Sequence, residues 1–76
     1  MKVKIQGVRK IAISGDFIKL DSLLKYASLA STGGEAKLYI QNGDVFVNGE
    51  PCDRRGRKIK PGYIVKFRND VLRICT

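Results

Sequence analysis

Five cations, Arg54, Arg55, Arg57, Lys58 and Lys60, crowd into seven positions of the stretch NGEPCDRRGRKIKPG at 48–62. The arginines offer planar forks that suit phosphate oxygens and can stack on bases, and the lysines add point charges. Holding like charges this close costs self-repulsion in a small chain, which an external anion would relieve. A merely solvated loop is the alternative. A second candidate is TGGEAK at 32–37. There the N–H groups and dipole of a helix start would attract an anion, and Gly33 and Gly34 would let a phosphate approach the backbone. Lys37, about one turn on, could add charge. Equally, the glycines could only form a tight interhelix turn and Lys37 a solvated face.

The groups that would do covalent or acid–base chemistry are missing. The chain has no histidine, no paired carboxylates in one motif, no nucleophile motif and no phosphate-binding P-loop, so no enzyme is expected and no cofactor is implied. Cys52 and Cys75 lie 23 positions apart without a CxxC, which fits neither a disulfide framework nor a zinc site. Two reduced cysteines in a cytosolic protein are expected. Phe17, Tyr26, Tyr39, Phe46, Tyr63 and Phe67 fall mostly where periodicity indicates core, leaving no stacking platform for single strands. The expected ligand is therefore shaped or double-helical RNA, held by its backbone with weak sequence specificity.

The balance of the chain agrees. Its 76 residues carry 15 Lys+Arg against 7 Asp+Glu, a formal +8 with a pI near 9.9, which favours a polyanion as partner. Residues 1–10 (Lys2, Lys4, Arg9, Lys10) and 51–60 each carry +4, while 11–30 sum to zero and 31–50 to −2. One small domain over 1–76 is expected, at a size where only about 60% of the chain's surface is buried on folding. No apolar run approaches the roughly 20 residues of a membrane span, so no membrane partner is expected and a cytoplasmic location is.

These residues need elements to position them. Val3 and Ile5, then Ile11 and Ile13, alternate with polar neighbours and suggest strand character broken near Gly7. Leu20, Leu23, Leu24 and Ala27 follow helical spacing and predict a first short helix at about 20–28. Thr32 and Glu35 have capping-box spacing, each side chain able to bond the other's backbone N–H. Gly43 after Asn42 suits a left-handed stop, so a second helix with Ala36, Tyr39 and Ile40 inward is predicted. VFV (45–47), YIVKF (63–67) and VLRI (71–74), bounded by Asn48-Gly49, Pro61-Gly62 and the turn RND, read as strands and hairpins. The predicted class is α+β, two short helices packed on a small, mainly antiparallel sheet.

The stretch IKLDSLLKYASLASTGGEAKLYIQNGDVFVNGEP resembles the S-four-type RNA-binding domain, or alpha-L motif. It has that family's KLD start, small polar turn, EAK..I and G.V.VNG. The resemblance covers about 18–67, with the basic N-terminal strand segment as an addition. STGGEAK joined to NGEPCDRRGRKIKPG is similar to the short stand-alone YaaA type over nearly the whole chain. The resemblance implies an RNA-facing groove lined by Lys19, Thr32, Gly34, Lys37, Asn48, Arg54, Arg55, Arg57 and Lys58. Many members carry arginines in the interhelix turn where this chain has Gly33 and Gly34, so the grip at this turn is either lost or made by backbone N–H groups instead. Implied partners are ribosomal or transfer RNA, with a ribosomal particle or its proteins as further candidates. A role in ribosome assembly or translation and a monomeric state are expected. A protein-interaction adaptor for an acidic partner and an RNA-binding accessory subunit of a separate enzyme are the rival readings.

Overall fold

The computed structural model describes residues 8–76. The expectations for Lys2, Lys4, Val3, Ile5 and Gly7 lie outside the described residues. The elements are β1 (Val8–Ala12), β2 (Ile18–Lys19), α1 (Leu20–Tyr26), α2 (Gly33–Gln41), β3 (Val45–Val47), β4 (Glu50–Pro51), β5 (Lys58–Ile59), β6 (Ile64–Phe67) and β7 (Asp70–Cys75). Five of the strands form a sheet in the order β1-β7-β6-β3-β4, and β2 pairs with β5 in a separate antiparallel ribbon. Among the described residues only β1 against β7 is parallel, so the α+β, mainly antiparallel architecture stands. The short strands β2, β4 and β5 were not legible in the sequence. Two-residue pairings carry no periodicity, and β2–β5 joins segments forty residues apart.

Each element follows from local chemistry. Leu20, Leu23, Leu24 and Ala27 give α1 one apolar stripe, and all four are buried. The helix ends when Ser28 adopts a left-handed φ of 63°. The Ser28 N–H then donates to the Lys25 carbonyl at 3.0 Å and the Leu29 N–H to the Leu24 carbonyl at 2.9 Å, a Schellman closure without glycine. Arg9 of β1 donates to the Ala27 carbonyl at 2.9 Å, placing a cation at the helix C-terminus, where the dipole favours it. The Tyr26 hydroxyl donates to the Ala12 carbonyl at 3.0 Å, a second tie between β1 and this end of α1.

In α2, the Thr32 Oγ1 accepts from the Glu35 N–H at 3.1 Å, as its spacing predicts. The Glu35 carboxylate accepts from the Ser31 N–H at 2.6 Å rather than from that of Thr32, so the reciprocal bond of the box is shifted by one residue. At the other end Gly43 has φ 83°, with Gly43 N–H to Ile40 carbonyl and Asp44 N–H to Tyr39 carbonyl, each 3.2 Å. This is the same Schellman closure, here on the expected glycine. Asn48 and Gly49, φ 53° and 87°, make the two-residue hairpin between β3 and β4.

The core forms where one face of the five-stranded sheet meets the helices. Ile11, Val45, Val47, Val65, Phe67, Leu72 and Ile74 join the leucines of α1 and Ala36 and Ile40 of α2 in one cluster. No charged or polar residue among the described ones is buried with them. Cys52 is buried and Cys75 half-buried, both free thiols.

Ser28 is an L-residue held where only glycine is unstrained, which costs roughly 1–2 kcal/mol. Ser28→Gly is therefore expected to raise the unfolding free energy by about 0.5–1 kcal/mol, after allowing for glycine's greater freedom in the unfolded chain. Urea denaturation checks this, and a loss of stability would contradict the assigned conformation.

Candidate nucleic-acid interface

The basic loop is fixed by its own main chain. It leaves β4 at Cys52, whose N–H donates to the Val45 carbonyl at 3.0 Å and whose thiol contacts the Arg54 carbonyl at 3.7 Å. The Arg57 N–H closes a turn onto the Arg54 carbonyl at 3.2 Å. The carbonyls of Arg57 and Arg55 accept from the N–H groups of Leu20 and Asp21 at 2.9 and 3.1 Å. Lys19, the N-cap of α1, makes no side-chain cap, so the loop supplies acceptors that the first turn of the helix needs.

With the backbone committed inward, the cationic side chains lie outward. Arg54, Arg55, Lys58 and Lys60 are exposed and Arg57 half-buried. Register then sets Lys19 directly opposite Lys58 in the β2–β5 ribbon, a like-charge pair that opposes folding. Among the described residues the single ion pair is Arg68–Asp44 at 3.5 Å, elsewhere on the molecule. The guanidinium of Arg57 lies over the Tyr63 ring at 5.9 Å, and the ammonium of Lys58 over the Phe17 ring at 5.0 Å. Phe17 is 38% exposed, so an aromatic edge borders the lysines.

The expectation that the six aromatics fall mostly in the core is corrected for three of them. Phe17, Tyr26 (61% exposed) and Phe46 (36% exposed) all reach solvent: Phe17 stands in a loop, Tyr26 off the apolar stripe of α1, and Phe46 on the outward-facing position of β3. Only Tyr39, Tyr63 and Phe67 pack on or within the core.

The second candidate site begins at α2. Thr32, Gly34 and Lys37 are exposed there, and among the described residues the Gly33 and Gly34 N–H groups meet no protein acceptor. Neither glycine is needed for the turn. Both lie in the first turn of the helix without a left-handed φ, a Cβ on Gly33 would meet nothing within 4 Å, and one on Gly34 only the Thr32 Oγ1 at 3.9 Å. The tight-turn half of the alternative therefore fails on geometry, while Lys37 does stand on a solvated face of α2. No hydrogen bond among the described residues links the loop to this helix start. What connects them is α1. Its first turn receives the loop, its length packs on α2, and its seven residues span about 10 Å.

A family model described as S4 domain matches residues 11–75. The chain belongs to the S4 domain family. It is also similar to a Bacillus subtilis (strain 168) protein named "Probable ribosome maturation protein RlbA", with 41% identity over 57 residues, 75% of this chain and 80% of that one.

Asn48 sits apart from the other residues singled out in this S4 domain. It lies at the tip of the β3–β4 hairpin, while the basic loop departs from the hairpin's open end at Cys52. Its Oδ1 accepts from the Ile64 N–H at 2.9 Å and its N–H donates to the Ile64 carbonyl at 2.7 Å. These bonds hold the hairpin to β6. Arg9, whose place was open in the sequence, is engaged at the end of α1.

Since neither glycine of α2 is required by backbone or packing, Gly33→Ala combined with Gly34→Ala is expected to stabilise the domain by about 1 kcal/mol in total. Thermal and urea melts test this. A destabilised double variant would mean that the fold itself demands glycine there.

Proposed function

We propose that this S4 domain binds structured RNA, ribosomal or transfer RNA, in a process of ribosome assembly or translation. The observation that carries the reading is the five-cation loop held by its backbone on α1, with Lys19 facing Lys58 and no carboxylate partner for any of them among the described residues. A phosphate backbone is a ligand that relieves such repulsion along a track of charges. Membership of the S4 domain family supports RNA as the polyanion, and the ribosome-maturation name of the Bacillus subtilis relative supports the setting.

In this reading Lys19, Arg54, Arg55, Arg57 and Lys58 make the main grip. Thr32, Gly34 and Lys37 offer a second one at the other end of α1, where the bare N–H groups of Gly33 and Gly34 suit a phosphate approaching the backbone. Asn48 acts by positioning the hairpin. The protein works by binding, without catalysis or a cofactor, in the cytoplasm.

Neutralising about four to six phosphates gives a log K against log salt slope of roughly −3 to −5. Filter binding to ribosomal RNA fragments should show this slope. The combined change Arg54→Ala, Arg55→Ala and Arg57→Ala should flatten the slope by about 2–3. The melting temperature should stay nearly constant for Arg54→Ala with Arg55→Ala, whose side chains are exposed and contribute little to folding. A slope unchanged by the triple substitution would remove the loop from the interface.

A further inference from the structure

The face of the five-stranded sheet turned away from the helices has a composition that neither folding nor the loop site explains. Cross-strand register lays Val8, Val71, Lys66 and Phe46 in one row. The adjacent row is Lys10, Arg73 and Ile64. Apolar side chains and cations interleave there, and no carboxylate stands in either row. Lys10 and Arg73 are directly opposed, a second like-charge pair in this small domain. Phe46 at 36% and Val8 at 54% exposure are among the most exposed large hydrophobic residues of the described chain. A shallow depression of about 370 Å3 lies at the centre, lined by Phe46, Gly49, Ile64, Lys66 and Val71.

The geometry points to a binding site for single-stranded RNA on this face, separate from the basic loop. An unpaired strand offers what the two rows lack: a phosphate for each of Lys66, Arg73 and Lys10, and base faces to stack on Phe46 and cover the neighbouring valines and isoleucine. Duplex RNA does not fit as well, because its bases are already stacked on each other. A protein partner is disfavoured by Lys66, which stands between Phe46 and Val71 at the middle of the row, the place where protein interfaces are depleted of lysine. The sheet is also rigid where it matters, since β6 is paired on both sides by β3 and β7. Held this way, one domain would grip a helical region through its loop and an adjoining unpaired segment through its sheet.

Fluorescence anisotropy with a labelled ten-nucleotide oligouridylate and, separately, with a labelled RNA hairpin tests the site on the full chain. Phe46→Ala is expected to weaken oligouridylate binding at least about fivefold, the scale of one lost stacking contact, and Phe46→Tyr to retain it. Lys66→Glu with Arg73→Glu should abolish oligouridylate binding and leave hairpin binding within about twofold. The loop triple-alanine variant should do the reverse, weakening the hairpin far more than the single strand. Failure of the loop reading would appear as hairpin binding indifferent to the loop, whatever the sheet variants do. The sheet proposal is overturned if oligouridylate does not bind, if Phe46→Ala and the glutamate pair leave its affinity unchanged, or if poly-glutamate of equal charge displaces it as well as RNA does.

Discussion

Two backbone hydrogen bonds, from the Leu20 and Asp21 amides to the carbonyls of Arg57 and Arg55, organise the surface of this domain. A helix of seven residues is too short to be stable alone, and its first amides need acceptors that Lys19 does not supply. The loop provides them from 34 and 37 residues downstream. The bond is useful in both directions. It completes α1, and it clamps a loop that five like charges would otherwise push open. Because main-chain atoms make the contact, the basic side chains of the loop are left free of a structural duty except Arg57, which lies over Tyr63, and Lys58, which lies over Phe17.

Like charges are then forced together by register. Lys19 faces Lys58 and Lys10 faces Arg73, and in neither case does strand pairing allow one partner to swing to the other face, since that would require a one-residue slip turning Ile59 or Ile74 out of the core. The apolar core thus fixes an electrostatic cost at the surface. In a domain of this size the margin of stability is small, so charge pairs that oppose folding are retained at real expense.

What the sequence disclosed was mostly local. The Thr32 cap, the stop at Gly43, the Asn48-Gly49 hairpin and the leucine stripe of α1 are all set by neighbours within a turn or two, and each appears at its expected residues, while the return bond of Glu35 is displaced from Thr32 to Ser31. Pairings between distant segments were not legible. The parallel match of β1 with β7 and the ribbon of β2 with β5 depend on which segments the packed core brings together. Ser28 hid the end of α1 because a serine gives no glycine signal. Phe46 misled for another reason. Between Val45 and Val47 it looks like the middle of a buried run, yet strict alternation puts it on the opposite face. At the candidate site, the clustered arginines were plain, but their docking on α1 and the Phe17 ring beneath Lys58 came from tertiary structure.

A net charge of +8 by itself says little about function, and the structure refines it by sorting the cations. Arg9 is occupied at the carbonyl end of α1. Arg68 is occupied by Asp44 and by the rings of Tyr39 and Phe67, at 5.0 and 4.8 Å, in a turn where its own φ of 58° needs such anchoring. These two serve the fold. The cations of the loop, and Lys10, Lys66 and Arg73 on the sheet, have no acidic partner among the described residues. Lys25 and Lys37, on the helices, also have no acidic partner among the described residues, but most of the unpartnered cations fall into these two groups on separate elements. Solubility would be served by scattered charge, whereas two concentrated tracks, each with an aromatic ring at its border, match a ligand whose own charge is linear and whose bases have flat faces.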